Sequence, residues 1–133
     1  MTLPDRNGLP VLGLMLGDCT GIGPEQCARV LAGGQQEGVA RLLVVGDARA
    51  LQQGARDAGV SVTCRAYPTP EHVDWSSAGV PIIDLANLDP GVIERGRVSP
   101  ESGRIAGETL AFMIDLALAA RIDGITFAPL NKA

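Results

Sequence analysis

Two short segments concentrate the residue types that bind and turn over small molecules. The first is Gly17-Asp18-Cys19-Thr20-Gly21-Ile22-Gly23-Pro24-Glu25. Three glycines permit a tight turn and close approach of a ligand to the backbone. Pro24 at a first helical position and Glu25 in the first turn mark a helix start. Such a start offers free N–H groups and a positive dipole end to an anion. The spacing is not that of a dinucleotide G-x-G-x-x-G, and the lysine of a G-x-x-x-x-G-K-[ST] phosphate loop is absent. Glycine spacing therefore leaves two readings, a structural turn or a ligand-contacting loop. Asp18 caps the turn on the first and positions a polar substrate on the second. The other segment is Ala128-Pro129-Leu130-Asn131-Lys132, which holds the only lysine of the chain. Lys132 either anchors a phosphate or carboxylate as a point charge or is simply solvated.

Other reactive side chains are few. His72 is the only histidine and stands in a polar stretch between Glu71 and Asp74, where solvation explains it better than base catalysis. One histidine excludes a metal site built from several histidines of a single copy. Cys19 is a candidate nucleophile if the helix end lowers its pKa, but no histidine can be placed beside it. Cys19, Cys27 and Cys64 form no CxxC pair and no even set, the pattern of a reducing compartment. Arg95 and Arg97 read as a solvated loop pair.

These residues need elements to hold them. Residues 11–16 form an apolar run suited to a strand covered on both faces. A helix follows from Pro24 to about Ala32 and stops at Gly33-Gly34. Residues 41–46 repeat the buried strand, and Asp47 is an N-cap for a helix over residues 48–58 that ends at Gly59. Residues 60–64 alternate and predict a third strand. Residues 67–80 read as a loop. Residues 80–85 predict a strand that Pro81 pushes towards a sheet edge. Ser99-Pro100-Glu101 opens a long helix running to about Arg121. Glu101, Arg104, Glu108 and Asp115 make one narrow polar stripe on it, so the rest implies burial on several sides or a partner subunit. Residues 124–128 predict a last strand. Alternating strands and helices give an α/β fold, a mostly parallel sheet with helices on both faces. Ligands in such folds lie beyond the carboxyl ends of the strands, where both segments fall.

Composition narrows the class. The chain has 133 residues, 46% of them apolar and 20% charged, with a net charge of −4. That fits one folded domain and not a disordered chain. The acidic balance and 3% aromatic content argue against nucleic-acid binding. No apolar run is long enough to span a membrane and no signal peptide opens the chain, so a cytoplasmic location is expected. Residues 1–9 read as a loose leader.

Taken together, the motifs resemble a known family. Gly17-Asp18 with Gly21-Ile22-Gly23-Pro24-Glu25 is similar to the N-terminal signature of the 4-hydroxythreonine-4-phosphate dehydrogenases of pyridoxal phosphate biosynthesis. Ser99-Pro100-Glu101-Ser102-Gly103, then Glu108-Thr109-Leu110, then Ile125-Thr126-Phe127-Ala128-Pro129-Leu130-Asn131-Lys132 resemble its next blocks in the same order. Cys19-Thr20 stands where the family carries Pro-Ala, which loosens the tie to the vitamin B6 branch. The resemblance implies part of an isocitrate/isopropylmalate-dehydrogenase-like fold and a homodimer. It implies oxidation of a secondary alcohol by NAD or NADP, then decarboxylation. It also implies a divalent metal (Zn, Mg or Co) held by three histidines. In the family those histidines, the substrate-phosphate contacts and most of the cofactor site lie past the point matching residue 133. The positions that carry over as substrate- or cleft-lining are Asp18, Thr20, Gly21, Gly23, Asn131 and Lys132. Residues 1–133 are therefore expected to be an N-terminal α/β domain, inactive alone. The implied substrate is a small phosphorylated hydroxy acid. A paralogue would instead oxidise a 4-phosphoerythronate- or threonate-type sugar acid, or an aromatic cis-dihydrodiol. A reading of another class is a non-catalytic α/β binding or interaction module.

Overall fold

The structure, a computed structural model, describes residues 8–34, 36–88, 96–97 and 99–128. The strands are β1 (Val11–Met15), β2 (Arg41–Gly46), β3 (Cys64–Ala66), β4 (Val80–Asp84) and β5 (Gly124–Phe127), and the helices are α1 (Gly23–Gly33), α2 (Ala48–Ala58) and α3 (Pro100–Leu118). A 3-10 turn covers Pro70–His72. The strands form one sheet in the order β3-β4-β2-β1-β5, and every pair is parallel.

The apolar runs become buried strands because both faces are covered, and period-two alternation divides them. Leu14, Val44 and Ile82 join Leu31, Leu51 and Ala55 in a core under α1 and α2. Val11, Met15, Leu43, Val45 and Ile83 face Met113 and Leu116 of α3 on the other side. Leu43, Val44 and Val45 are all at 0% exposure, so consecutive residues of this central strand are removed from water by one layer or the other. Burying each such side chain stabilises the fold by about 1.5–3 kcal/mol. Right-handed crossovers explain the layering: β1-α1-β2 and β2-α2-β3 step one way along the sheet and β4-α3-β5 steps back, so α3 lands on the opposite face.

The helix limits follow from local chemistry. Gly34 (φ 68°) and Gly59 (φ 69°) end α1 and α2 in the left-handed conformation that glycine adopts without strain. Asp47 caps α2 by accepting from the Arg49 N–H. Ser99 and Ser102 form a reciprocal capping box at the start of α3. On the outer side of α3, Arg104 pairs with Glu101 and, at 2.6 Å, with Glu108. That polar stripe is as expected, but burial is confined to one side. Ile114 is 42% exposed and Leu118 81% exposed.

Two expectations need correction. The third strand is Cys64–Ala66, and residues 60–63 lie outside the ladder. The Val60 N–H is spent on the Ala55 carbonyl at the end of α2, and β4 begins only at Val80, which donates to Thr63 O at 2.7 Å. Nor is β4 an edge strand: it lies between β3 and β2 despite Pro81. Val80 and Ile82 bond on the β3 side, whereas Leu85 donates to Gly46 on the β2 side. Alternation puts the Pro81 nitrogen on the β2 side, one residue before that pairing starts at Val44↔Ile82, so no ladder bond is lost.

Candidate functional site

All five strands run the same way, so their carboxyl ends share one edge. Three exits meet there: residues 17–23 after β1, Asp47 after β2 and residues 85–88 after β4. The exit from β2 leads to the α1/α2 face and the exit from β4 leads to the α3 face. Neighbouring strands whose connections diverge leave a crevice between them, the usual ligand position in such sheets.

The glycine loop is built as a turn and as a platform. Gly17 takes φ 81°. Asp18 Oδ1 accepts from the Thr20 N–H at 2.9 Å and from the Thr20 hydroxyl at 2.7 Å. The Gly21 N–H donates to Asp18 O at 3.0 Å, and the Gly96 N–H donates to Thr20 O at 2.7 Å. Thr20 is buried by this folding. A Cβ at Gly23 would stand 2.1 Å from the Leu16 carbonyl oxygen, so only glycine lets α1 start this close to β1. Among the described residues no side chain caps that start. A helix start without a side-chain cap leaves its first N–H groups, Pro24 contributing none, to an anionic phosphate or carboxylate.

The sequence-derived candidates Asp18, Thr20, Gly21 and Gly23 thus fall in one turn. Asp18 does the turn-capping work directly. Asn131 and Lys132 lie outside the described residues, as do Pro129 and Arg95. Arg97 is exposed. His72 is at the opposite end of the molecule. Its neighbour Glu71 pairs with Arg121 just ahead of β5, and Trp75 lies under Arg41 at the start of β2, both at the amino edge of the sheet. His72 is exposed and its Nδ1 is 2.5 Å from Thr69 Oγ1. Among the described residues, no three of His, Cys, Asp and Glu are grouped so as to hold a metal ion. They do not supply the three-histidine centre that the resemblance implies.

The idea of an activated Cys19 is also corrected. Burial raises its pKa, and the negative charges of Asp18, Asp47 and Glu101 add to that. The thiol precedes the helix by several residues and is governed first by its burial and then by the carboxylates around it.

Sequence reasoning read Asp47 only as a cap and passed over Asp84 and Asn87. Asp47 is 3% exposed and takes four donors. Its Oδ1 accepts from Arg49 N at 2.8 Å and Nε at 3.0 Å, and its Oδ2 from Arg49 Nη2 and Leu88 N, each at 2.8 Å. Asp84 Oδ1 accepts from Ala48 N at 3.2 Å and Ala86 N at 3.0 Å. These carboxylates stitch the β4 exit to the start of α2 and shape the crevice floor. Their signal in the sequence was an Asp directly after each apolar run, but the pairing of the two runs was not readable. A cleft of about 430 Å³ opens beside them, with Cys19, Pro24, Arg49, Gln53, Gly54 and Leu88 among its walls.

Comparison with known proteins agrees with this architecture. The profile of the family described as "Pyridoxal phosphate biosynthetic protein PdxA" matches residues 38–133. The D-threonate 4-phosphate dehydrogenase of Cupriavidus necator is 36% identical over 124 residues, covering 93% of this chain and 37% of that protein. The crystal structure of a 4-hydroxythreonine-4-phosphate dehydrogenase from Burkholderia phymatum superposes with a TM-score of 0.85 at 31% identity, over 93% of this chain and 37% of that one. The 4-hydroxythreonine-4-phosphate dehydrogenase of Klebsiella pneumoniae gives 0.84 at 29% identity, over 96% of this chain and 39% of that one. The chain spans a little over a third of the length of these relatives.

Proposed function

The chain belongs to the pyridoxal phosphate biosynthetic protein PdxA family, whose relatives are named as dehydrogenases, and we propose that it is the N-terminal α/β part of one acting on a small phosphorylated hydroxy acid. The reaction is oxidation of a secondary alcohol: the carbinol hydrogen leaves as hydride, the hydroxyl proton goes to a base, and a ketone results. Where that ketone lies β to a carboxylate, loss of CO₂ follows. A nicotinamide cofactor, NAD or NADP, takes the hydride. A divalent metal that polarises the oxygen is part of the proposal, with its ligands in the length of the relatives that this chain does not span.

The observation that carries the proposal is the glycine turn at the carboxyl edge. Asp18 holds the turn through Thr20. Gly23 draws the uncapped start of α1 against β1. The N–H groups of Ile22, Gly23 and Glu25 then receive an anionic group of the substrate, and the crevice beside Asp47 receives the hydroxylated portion. Asn131 and Lys132 extend this reading as a second anion contact. The substrate we favour is of the threonate 4-phosphate type. Cys19-Thr20 in place of Pro-Ala sets the loop apart from the B6 pattern, and this carries the choice, because relatives named for either substrate are 36% identical. Cytoplasmic location and a homodimer of the longer protein are part of the same proposal. Among the described residues no helix is long and apolar enough to cross a membrane. The exposed Ile114 and Leu118 support an apolar contact on α3.

Titration of D-threonate 4-phosphate into the ¹⁵N-labelled chain tests the proposal. We expect shifts concentrated at residues 17–25 and 84–88. Saturable binding with no change at either segment would contradict it.

A further inference from the structure

We propose that Asn87 is a specificity-determining residue whose side-chain oxygen accepts a hydrogen bond from a ligand hydroxyl in the crevice between β2 and β4. The inference rests on the reading that this crevice receives the hydroxylated part of the substrate. Asn87 follows β4 and is flanked by two fixed points, the Ala86 N–H on Asp84 and the Leu88 N–H on Asp47. Its carboxamide orientation is set by a relay. Thr109 is buried, and its hydroxyl donates to Ile105 O at 2.8 Å. A hydroxyl has one hydrogen, so Thr109 Oγ1 can offer Asn87 only lone pairs. The carboxamide answers with its nitrogen, and Asn87 Nδ2 donates to Thr109 Oγ1 at 3.3 Å. The oxygen is thereby assigned to the other side, where Oδ1 is buried and has no partner among the described residues. A buried acceptor without a donor is unfavourable, and each such atom in a folded protein calls for an explanation.

The surroundings say what the donor is. Asn87 and Thr109 line a cavity of about 20 Å³ together with Gly17, Gly46, Asp47 and Leu88. That is room for one hydroxyl or one water, which needs roughly 10–15 Å³. The wall is mostly apolar, through Met15, Val45 and Ile105, and the Asp47 carboxylate is already committed to Arg49 and Leu88. A neutral O–H fits there and an ammonium ion does not. Gly17 belongs to the glycine turn, so a ligand whose anionic group lies at the start of α1 can place a hydroxyl carbon beside Asn87.

Three probes separate the possibilities: D-threonate 4-phosphate, its counterpart without hydroxyls (4-phosphooxybutanoate), and erythritol, which has hydroxyls and no phosphate. Affinity is measured by titration, and the Asn87 carboxamide and Thr109 signals are followed by NMR. We expect D-threonate 4-phosphate to bind about tenfold more tightly than 4-phosphooxybutanoate, the value of one hydrogen bond. Asn87→Leu should erase that preference and Asn87→Asp, which keeps an acceptor, should retain it. Thr109→Val, which frees the carboxamide to rotate, should weaken it. A preference that survives in Asn87→Leu overturns the inference, as does D-threonate 4-phosphate binding that leaves the Asn87 signals in place. Signals unmoved by every probe overturn it too and assign the cavity to a resident water. If erythritol moves the Asn87 signals while D-threonate 4-phosphate does not bind, the hydroxyl subsite stands and the substrate reading fails.

Discussion

Gly54 of α2 lies directly against Pro24 of α1: a Cβ built on Gly54 would stand 2.3 Å from the Pro24 carbonyl oxygen and 2.8 Å from the Glu25 nitrogen. The obstacle is backbone, so no rotamer change relieves it. This contact sets how closely the two helices cross and holds the start of α1, already pressed against Leu16 through Gly23, in one place. Gly54→Ala gains helix propensity worth about 1 kcal/mol. It must also force the helices apart, at about 1–3 kcal/mol or more for overpacking. The net expectation is destabilisation of about 1–2 kcal/mol, read from the midpoint of urea unfolding. A stabilised variant would mean that the helices do not meet as described.

Asp47 is the second constraint. It is a buried cap for α2 and also the acceptor for the Leu88 N–H. Asp47→Ala should cost about 2–4 kcal/mol, one helix cap plus one stranded amide. Hydrogen exchange at Leu88 should rise well beyond the global change. Asp47→Asn, which keeps one accepting oxygen in place of two, should fall between the parent chain and Asp47→Ala.

Acid sensitivity should arise in part from Glu71. Hydrogen bonds from Arg121 hold its carboxyl down from 4.5 to about 2. A carboxylate depressed on folding contributes stability above its unfolded pKa, and that contribution is lost as pH falls through the folded value. The window is therefore pH 4.5 down to about 2. Both side chains are well exposed, 33% for Arg121 and 44% for Glu71, so solvent screening limits the effect to about 0.5 kcal/mol. Arg121→Gln should flatten stability against pH in that window, and added salt should shrink the difference from the parent chain.

The thiols should rank by their surroundings. Burial pushes Cys27 up to about 11, and Cys19 is raised by burial and by Asp18. Mass spectrometry after iodoacetamide treatment at neutral pH should show Cys27 unmodified and Cys19 slower than a free thiol. Asp18→Asn should quicken Cys19. Fast alkylation of Cys19 in the parent chain would restore the nucleophile reading.

Most elements were legible because their signals are local. Pro24, Ser99-Pro100 and Asp47 announce helix starts, Gly34 and Gly59 announce stops, and unbroken apolar runs announce strands buried on two sides. What was not legible depends on pairing. Pro81 looked like an edge marker because the position of its nitrogen relative to the β2 ladder is set by register, which no local pattern encodes. Residues 60–64 alternate like a strand, but the partner starts at Val80, too late to pair with residues 60–63. The site divided in the same way. Asp18, Thr20, Gly21 and Gly23 sit in one contiguous turn, so their closeness was readable from the sequence alone. Asp84 and Asn87 reach Ala48 and Thr109 only because β4 slots beside β2, and that neighbour relation had to be seen.

The central claim is that this chain supplies the N-terminal portion of a dehydrogenase of phosphorylated hydroxy acids. It is tested most directly by a chimera in which the chain replaces the matched segment of the Cupriavidus necator D-threonate 4-phosphate dehydrogenase, assayed for NAD(P)⁺ reduction with D-threonate 4-phosphate. The account predicts turnover that Gly23→Ala lowers sharply and that Asn87→Leu lowers mainly through KM. A folded chimera that binds the nicotinamide cofactor yet reduces none of it with this substrate would contradict the claim.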